Sequence, residues 1–247
     1  MIKKLTIFTL LLFSLSVYCQ EKYPIKDYQH YIENEQVISE NKEPAHASFT
    51  SFSTRENALN NSPRFHKSLN GTWKFNWVRN PKDRPTEFMK TSFDVSNWEN
   101  IKVPSNWEVE EFGVPIYVNH QYEFTDYKAM MTDDMELVDR IYPKNLGDVP
   151  DNYNPVGTYR RDFTIDKNWN DKEIFLHIGA MKAGGFVWLN GKYIGYSQGS
   201  KLPSEFNITK AVKTGKDTIA IQIFRWTDGS YLECQDFWRI SGIERDV

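Results

Sequence analysis

The sequence predicts an all-β protein, an antiparallel jelly-roll sandwich carrying an extended N-terminal arm, and three observations predict it. Short runs rich in aromatic and β-branched residues recur between residues 72 and 225. Turn residues separate these runs without an intervening helical period, which is the pattern of antiparallel strands rather than of βα units. An Asn-Gly pair at 190–191 sits between two of the runs. It is the strongest short-range hairpin signal available, because a type I′ turn needs φ > 0 at both central residues.

The chain opens on Lys3 and Lys4, followed by an apolar run from Leu5 to Val17. That is the charged and apolar pattern of a secretory signal peptide, expected over residues 1–19, and it is too short to serve as a transmembrane helix of about 20 apolar residues. Export to the periplasm or the outside follows. A lipid anchor on Cys19 would want a small residue where Tyr18 stands. Removal of 1–19 leaves Cys234 as the one cysteine, so no disulfide can form within the chain and stability must come from packing.

Residues 20–62 are polar, with scattered apolar positions such as Tyr28 and Ile32 and no sustained period of 2 or 3.6, which predicts an extended arm. From residue 63 to 247 the pattern becomes that of a sandwich domain. Residues 72–78, Thr-Trp-Lys-Phe-Asn-Trp-Val, place Trp73, Phe75 and Trp77 on one face of a half-buried strand. Further strands are expected over 157–165, 173–178, 186–189, 193–197 and 218–225. The stretch from 119 to 156 is too polar for a core and too long for a tight connection, and loops of that length often serve function.

Composition narrows the chemistry. Of 247 residues, 30 are basic and 33 acidic, for a formal charge of −3 with no basic block, which argues against a nucleic-acid partner. The five histidines, at 30, 46, 66, 120 and 177, never fall at zinc-ligand spacing. His177, inside an apolar strand, reads as structural. Gly184-Gly185 precedes a strand rather than a helix, and no GxSxG elbow occurs, so phosphate-loop and serine-nucleophile chemistry lack support. The segment from 225 to 247 does stand out, because it sets Asp228, Glu233 and Asp236 among Trp226, Tyr231, Phe237 and Trp238. A carboxylate accepts hydrogen bonds from sugar hydroxyls while a ring covers the apolar face of a pyranose, and carboxylate oxygens also suit hard cations. The alternative is a solvated turn whose rings face the core.

That segment resembles the end of the N-terminal sugar-binding domain of bacterial β-galactosidases of glycoside hydrolase family 2. Other blocks agree in order: Leu69-Asn-Gly-Thr-Trp-Lys-Phe75, Val103-Pro-Ser-Asn-Trp107, Pro115-Ile-Tyr-Val-Asn119, Asn154-Pro-Val-Gly-Thr-Tyr159, the run 186–196, and Ser200-Lys-Leu-Pro-Ser-Glu-Phe206. The resemblance implies a galactose-binding-like β-sandwich and a β-galactoside substrate. It implies that Asn119 and Asp236 are substrate-binding residues, and that Asp236 is also a metal ligand, for Na⁺. It places the two catalytic glutamates, and a Mg²⁺, on a TIM barrel beyond residue 247, which makes that barrel this domain's partner. The catalytic residues are therefore expected outside this chain, and Glu233 and Asp236 are not their equivalents. Cys234 stands where relatives carry an acid, and the 125–152 stretch is longer than in relatives, which bears on any homo-oligomer. The resulting expectation is the N-terminal part of an exported β-galactosidase, inactive alone. The rivals are a stand-alone carbohydrate-binding module and a complementation fragment that docks onto a partner chain.

Overall fold

The Asn190-Gly191 turn has the predicted geometry, with φ of 55° and 83°, and it joins β8 (Gly184–Leu189) to β9 (Lys192–Gln198) in a two-residue hairpin, Leu189 facing Lys192. The Asn190 amide fixes the turn against the next strand. It donates to the Ala211 carbonyl at 2.9 Å and to Asp217 at 2.6 Å, and accepts from the Thr218 amide at 3.0 Å. The computed structural model that shows this describes residues 24–117, 123–124, 145–150 and 153–247. The expected signal peptide, Asn119 and most of the 125–152 stretch lie outside the described residues.

The remaining strands are β1 (Ser39–Glu40), β2 (Gly71–Val78), β3 (Glu99–Val103), β4 (Ser105–Asn106), β5 (Val156–Thr164), β6 (Phe175–Ile178), β7 (Met181–Lys182), β10 (Ser204–Asn207), β11 (Lys216–Phe224) and β12 (Gly242–Ile243). Seven of the twelve form one antiparallel sheet in the order β1-β9-β8-β11-β5-β2-β3. Two short sheets, β10-β6 and β4-β12-β7, complete the fold. The chain is therefore an antiparallel β-sandwich, as its alternation and turn chemistry predict, and the helices Gln29–Ile32 and Arg55–Leu59 are single turns. Among the described residues no helix is long and apolar enough to cross a membrane.

Both faces of the large sheet are covered, which is why its central strands read as near-continuous apolar runs. One face packs Trp73, Phe75, Tyr159, Val187, Leu189, Ile219, Ile221 and Ile223 against Leu176, Ile178 and Phe206 of the two-stranded sheet. The other packs Phe186, Trp188, Phe224 and Trp226 under Tyr31, Ile32, Phe88, Phe124 and Tyr153. Successive residues of β8 and β11 alternate between these two cores, following the period of 2. Each fully buried aliphatic or aromatic side chain is worth about 1.5–3 kcal/mol in transfer from water.

The polar segment before residue 63 crosses both layers. Tyr31 and Ile32 are buried in the second core, and β1 pairs with β9 at the sheet edge, Ser39 facing Ser197. Farther on, the Glu43 amide donates to the carbonyl of Glu205 on β10 at 2.9 Å. The segment thus spans the opening between the two sheets. Gly195 admits it, since a Cβ there would stand 2.4 Å from the Glu40 carbonyl oxygen and 2.7 Å from the Phe206 ring.

Candidate functional site

The segment that follows β11 carries the carboxylates singled out by sequence, and it is held from beneath by buried charge. Arg225 is 1% exposed and donates from Nη1 to Glu108 Oε1 at 2.8 Å and from Nη2 to the Arg239 carbonyl at 2.5 Å. Glu108 Oε2 accepts from the Ser241 amide at 2.9 Å. Burial pushes the Glu108 carboxyl up, and the neighbouring Arg225 guanidinium pulls it back. A second buried group sets Glu123 Oε2 between Lys182 Nζ at 3.0 Å and Arg239 Nε at 3.5 Å, all three side chains 2% exposed or less. Buried ions persist only when paired in this way. Both ends of the loop are thereby tied to the sandwich.

On this frame the loop returns to the strand-like segment before Asn119. Arg239 N donates to the Ile116 carbonyl at 2.7 Å in an isolated antiparallel bridge. The bridge sets Tyr117 beside Trp238, ring centroids 5.8 Å apart, with the two side chains 42% and 54% exposed. Asp236 is exposed and accepts the Tyr117 hydroxyl hydrogen bond at Oδ1. That bond is the first cause of a raised Tyr117 pKa. The result is a surface carboxylate bonded to one accessible ring, which itself packs beside a second.

The other carboxylates of the segment have structural work. Glu233 accepts from the Ser200 amide at 2.7 Å and from its hydroxyl at 2.5 Å. Asp228 is 8% exposed and accepts from Gln198 Nε2 at 2.9 Å and the Gly229 amide at 2.8 Å, while burial raises its pKa. Glu233 and Asp236 therefore hold different partners. Arg239 Nη2 donates to the Cys234 thiol sulfur at 3.0 Å. Among the described residues no group of three or more His, Cys, Asp or Glu could hold a metal ion. Asp236 can offer a cation one carboxylate, with Oδ1 already shared with Tyr117.

Sequence reasoning set Asp236 among four rings, of which Trp226 is buried in the core and Trp238 exposed, and missed its neighbour Tyr117 and the buried ions beneath. Tyr117 was visible only as part of the block ending at Asn119. Glu108 directly follows the Val103–Trp107 block, yet nothing local distinguishes a buried glutamate from a solvated one until its distant arginine is known.

Comparison with known proteins fits this geometry. The model of the sugar-binding domain of glycosyl hydrolases family 2 matches residues 66–136 and 137–247. The chain belongs to glycoside hydrolase family 2. It is 35% identical over 227 residues to a β-galactosidase of Priestia megaterium, covering 91% of this chain and 21% of that protein. A β-galactosidase of Yersinia enterocolitica is 36% identical over 217 residues, covering 87% and 19%. The chain thus spans about a fifth of the length of these family 2 relatives. Among solved structures, a Bacteroides uniformis β-glucuronidase shares the fold, with a TM-score of 0.50 and 24% identity over 73% of this chain and 17% of that one.

Proposed function

We propose that this chain is the sugar-binding sandwich of an exported β-galactosidase and contributes a wall of the galactoside site through Asp236 and Asn119. The observation that carries the proposal is Asp236, exposed and bonded to Tyr117, whose ring packs beside Trp238, on a frame of buried ion pairs. Support comes from relatives named β-galactosidases at 35–36% identity. An ionised carboxylate accepts hydroxyl hydrogen bonds, and exposed rings offer a face to the C–H side of a pyranose. Asn119, two residues beyond Tyr117, would add an amide that both donates and accepts.

Asp236 would supply one oxygen ligand to Na⁺, whose charge would in turn help hold a hydroxyl oxygen. The remaining ligands, the Mg²⁺ and the two carboxyl groups that a retaining hydrolysis needs about 5 Å apart would come from a catalytic barrel. The 247-residue chain is then expected to be inactive.

In the enzyme that includes the barrel, Asp236→Asn should raise the KM for an aryl β-galactoside and flatten its sodium dependence. An unchanged KM at every sodium concentration would contradict the role. Because Tyr117, Asp236 and Trp238 lie on this chain, a second reading is a carbohydrate-binding module that works unaided. Calorimetry with galactose and lactose decides between the two: affinity abolished by Asp236→Asn in the isolated chain favours the module, and its absence favours the shared wall. Restored hydrolysis on mixing the chain with a fragment carrying the missing domains would support a complementation role.

A further inference from the structure

A well-formed concavity lies away from Asp236. A cavity of about 570 Å³ opens between the segment before residue 63 and the two-stranded sheet, within the roughly 300–1,000 Å³ range of small-molecule sites. It touches Ile219, near the Lys216 end of β11, with Phe163 of β5 and Leu189 of β8, which pair with that end, whereas the Asp236 loop leaves the Phe224 end. Ile219 and Phe224 are five residues apart, or roughly 17 Å at about 3.3 Å per strand residue. The two places are therefore at opposite ends of the sandwich.

The mouth of this cavity combines rings with a fixed polar group. Phe49, Phe65 and Phe175 line it and are 83%, 45% and 45% exposed, and Trp169 stands edge-on to Phe65 with centroids 6.2 Å apart. Three phenylalanines on one lining thus leave much of their ring surface open to a ligand. Beside them Glu205 holds an imidazole on each oxygen: His46 Nε2 at 2.8 Å and His177 Nδ1 at 2.7 Å. These two bonds lock the carboxylate in place, yet an ionised carboxylate offers about four acceptor positions, so hydroxyls can still be received. His177, whose side chain is 40% exposed, also keeps Nε2 for a ligand. The remaining charged side chains on the lining, Lys67 and Asp246, are of opposite sign. Neither an anionic nor a cationic ligand is favoured by that balance.

We propose that this cavity is a second saccharide site, separate from Asp236, which takes a neutral pyranoside by stacking on the rim phenylalanines and hydrogen bonding to Glu205 and His177. The inference uses the sugar-binding character of the family but does not depend on any role of Asp236. A preformed acceptor beside accessible rings suits a polyhydroxylated ligand with an apolar face, whereas an aliphatic ligand would make no use of the carboxylate's spare acceptor positions or of His177 Nε2.

The test is a titration of the 247-residue chain with lactose and with methyl β-galactoside, followed by the imidazole ¹H–¹⁵N signals of His46 and His177. Both sugars should shift these signals with a Kd of about 1–10 mM, weak but measurable binding. Phe49→Ala removes a largely exposed ring and His177→Ala a partly exposed one, and each should weaken the response at least tenfold with unchanged circular dichroism. Asp236→Asn should leave it intact. Imidazole signals unmoved by either sugar would overturn the proposal. So would a response lost in Asp236→Asn, which would place the binding at the other end. An apolar dye held at the rim and not displaced by sugar would also overturn it, marking instead a surface for another protein.

Discussion

Trp73→Ala tests whether the first core carries the fold. The indole is 1% exposed, lies edge-on to Tyr159 with centroids 6.3 Å apart, and donates from Nε1 to the Leu69 carbonyl at 2.8 Å. Removing a buried Trp side chain costs about 3–5 kcal/mol through lost transfer energy and the cavity left behind. Part of that is the orphaned carbonyl, since an unmade buried hydrogen bond costs about 1–3 kcal/mol. In a chain of this size each kcal/mol moves the midpoint by roughly 2–4 °C, so Trp73→Ala should lower Tm by about 6–20 °C. Trp73→Phe keeps one ring and loses the N–H, and should cost the hydrogen-bond share plus a smaller cavity, less in all than Trp73→Ala. Urea denaturation followed by far-ultraviolet circular dichroism measures both. The reasoning fails if Trp73→Ala costs less than about 1.5 kcal/mol, or if the two variants cost the same.

Other outcomes follow from other parts of the molecule. Lys182→Met leaves Glu123 buried with Arg239 as its remaining cation, and should destabilise toward the lower end of the roughly 3–5 kcal/mol typical of a broken buried pair; a neutral result in urea would show that Lys182 is dispensable. Gly195→Ala forces a Cβ against the Glu40 carbonyl and Phe206, at an overpacking cost of about 1–3 kcal/mol. Amide exchange at Gln198, which donates to the Ile38 carbonyl, should accelerate, and unchanged protection would refute the close approach. The bond between His46 and Glu205 should depend on pH in both directions. His46 is raised by its bonds to the Ala47 carbonyl and Glu205, so its contribution is whole below the unfolded value of about 6.5 and is lost as pH rises through the raised one. For Glu205, partial burial acts upward but the bonds from His46 and His177 prevail, so its contribution is whole above about 4.3 and is lost as pH falls through the lowered value. Glu43 amide protection should therefore be greatest between about pH 4.3 and 6.5, and a flat profile would contradict this anchoring.

Legibility in the sequence tracks how local the determinant is. The hairpin at Asn190-Gly191 and the alternation of Trp73, Phe75 and Trp77 are set by neighbours two or three residues away, and both are found where expected. β8 was equally readable as a strand, but its burial on both faces depends on Tyr31, Phe88 and Phe124, far away in the chain. The two-residue strands β1, β4, β7 and β12 carry no period to detect and exist only through their partners. His177 has an apolar strand around it in sequence, yet its ring reaches the surface and Glu205, because alternation turns it away from the core that holds Leu176 and Ile178. At the candidate site, Asp236 was legible from its ring-rich surroundings and from resemblance. The Glu108–Arg225 pair was not, because 117 residues separate partners that meet only after folding.

The crossing of the early segment over β9 and β10 has a consequence for how the molecule is made. Ser39 leaves the ribosome long before its partner Ser197, so the register that closes that edge cannot form until most of the domain has been synthesised. Left uncovered, β9 would present bare backbone donors and acceptors, the kind of template on which chains associate. The polar stretch that looks least like structure thus becomes the late-fitted guard of the fold, and a chain made without it would be expected to meet its own copies through that uncovered strand.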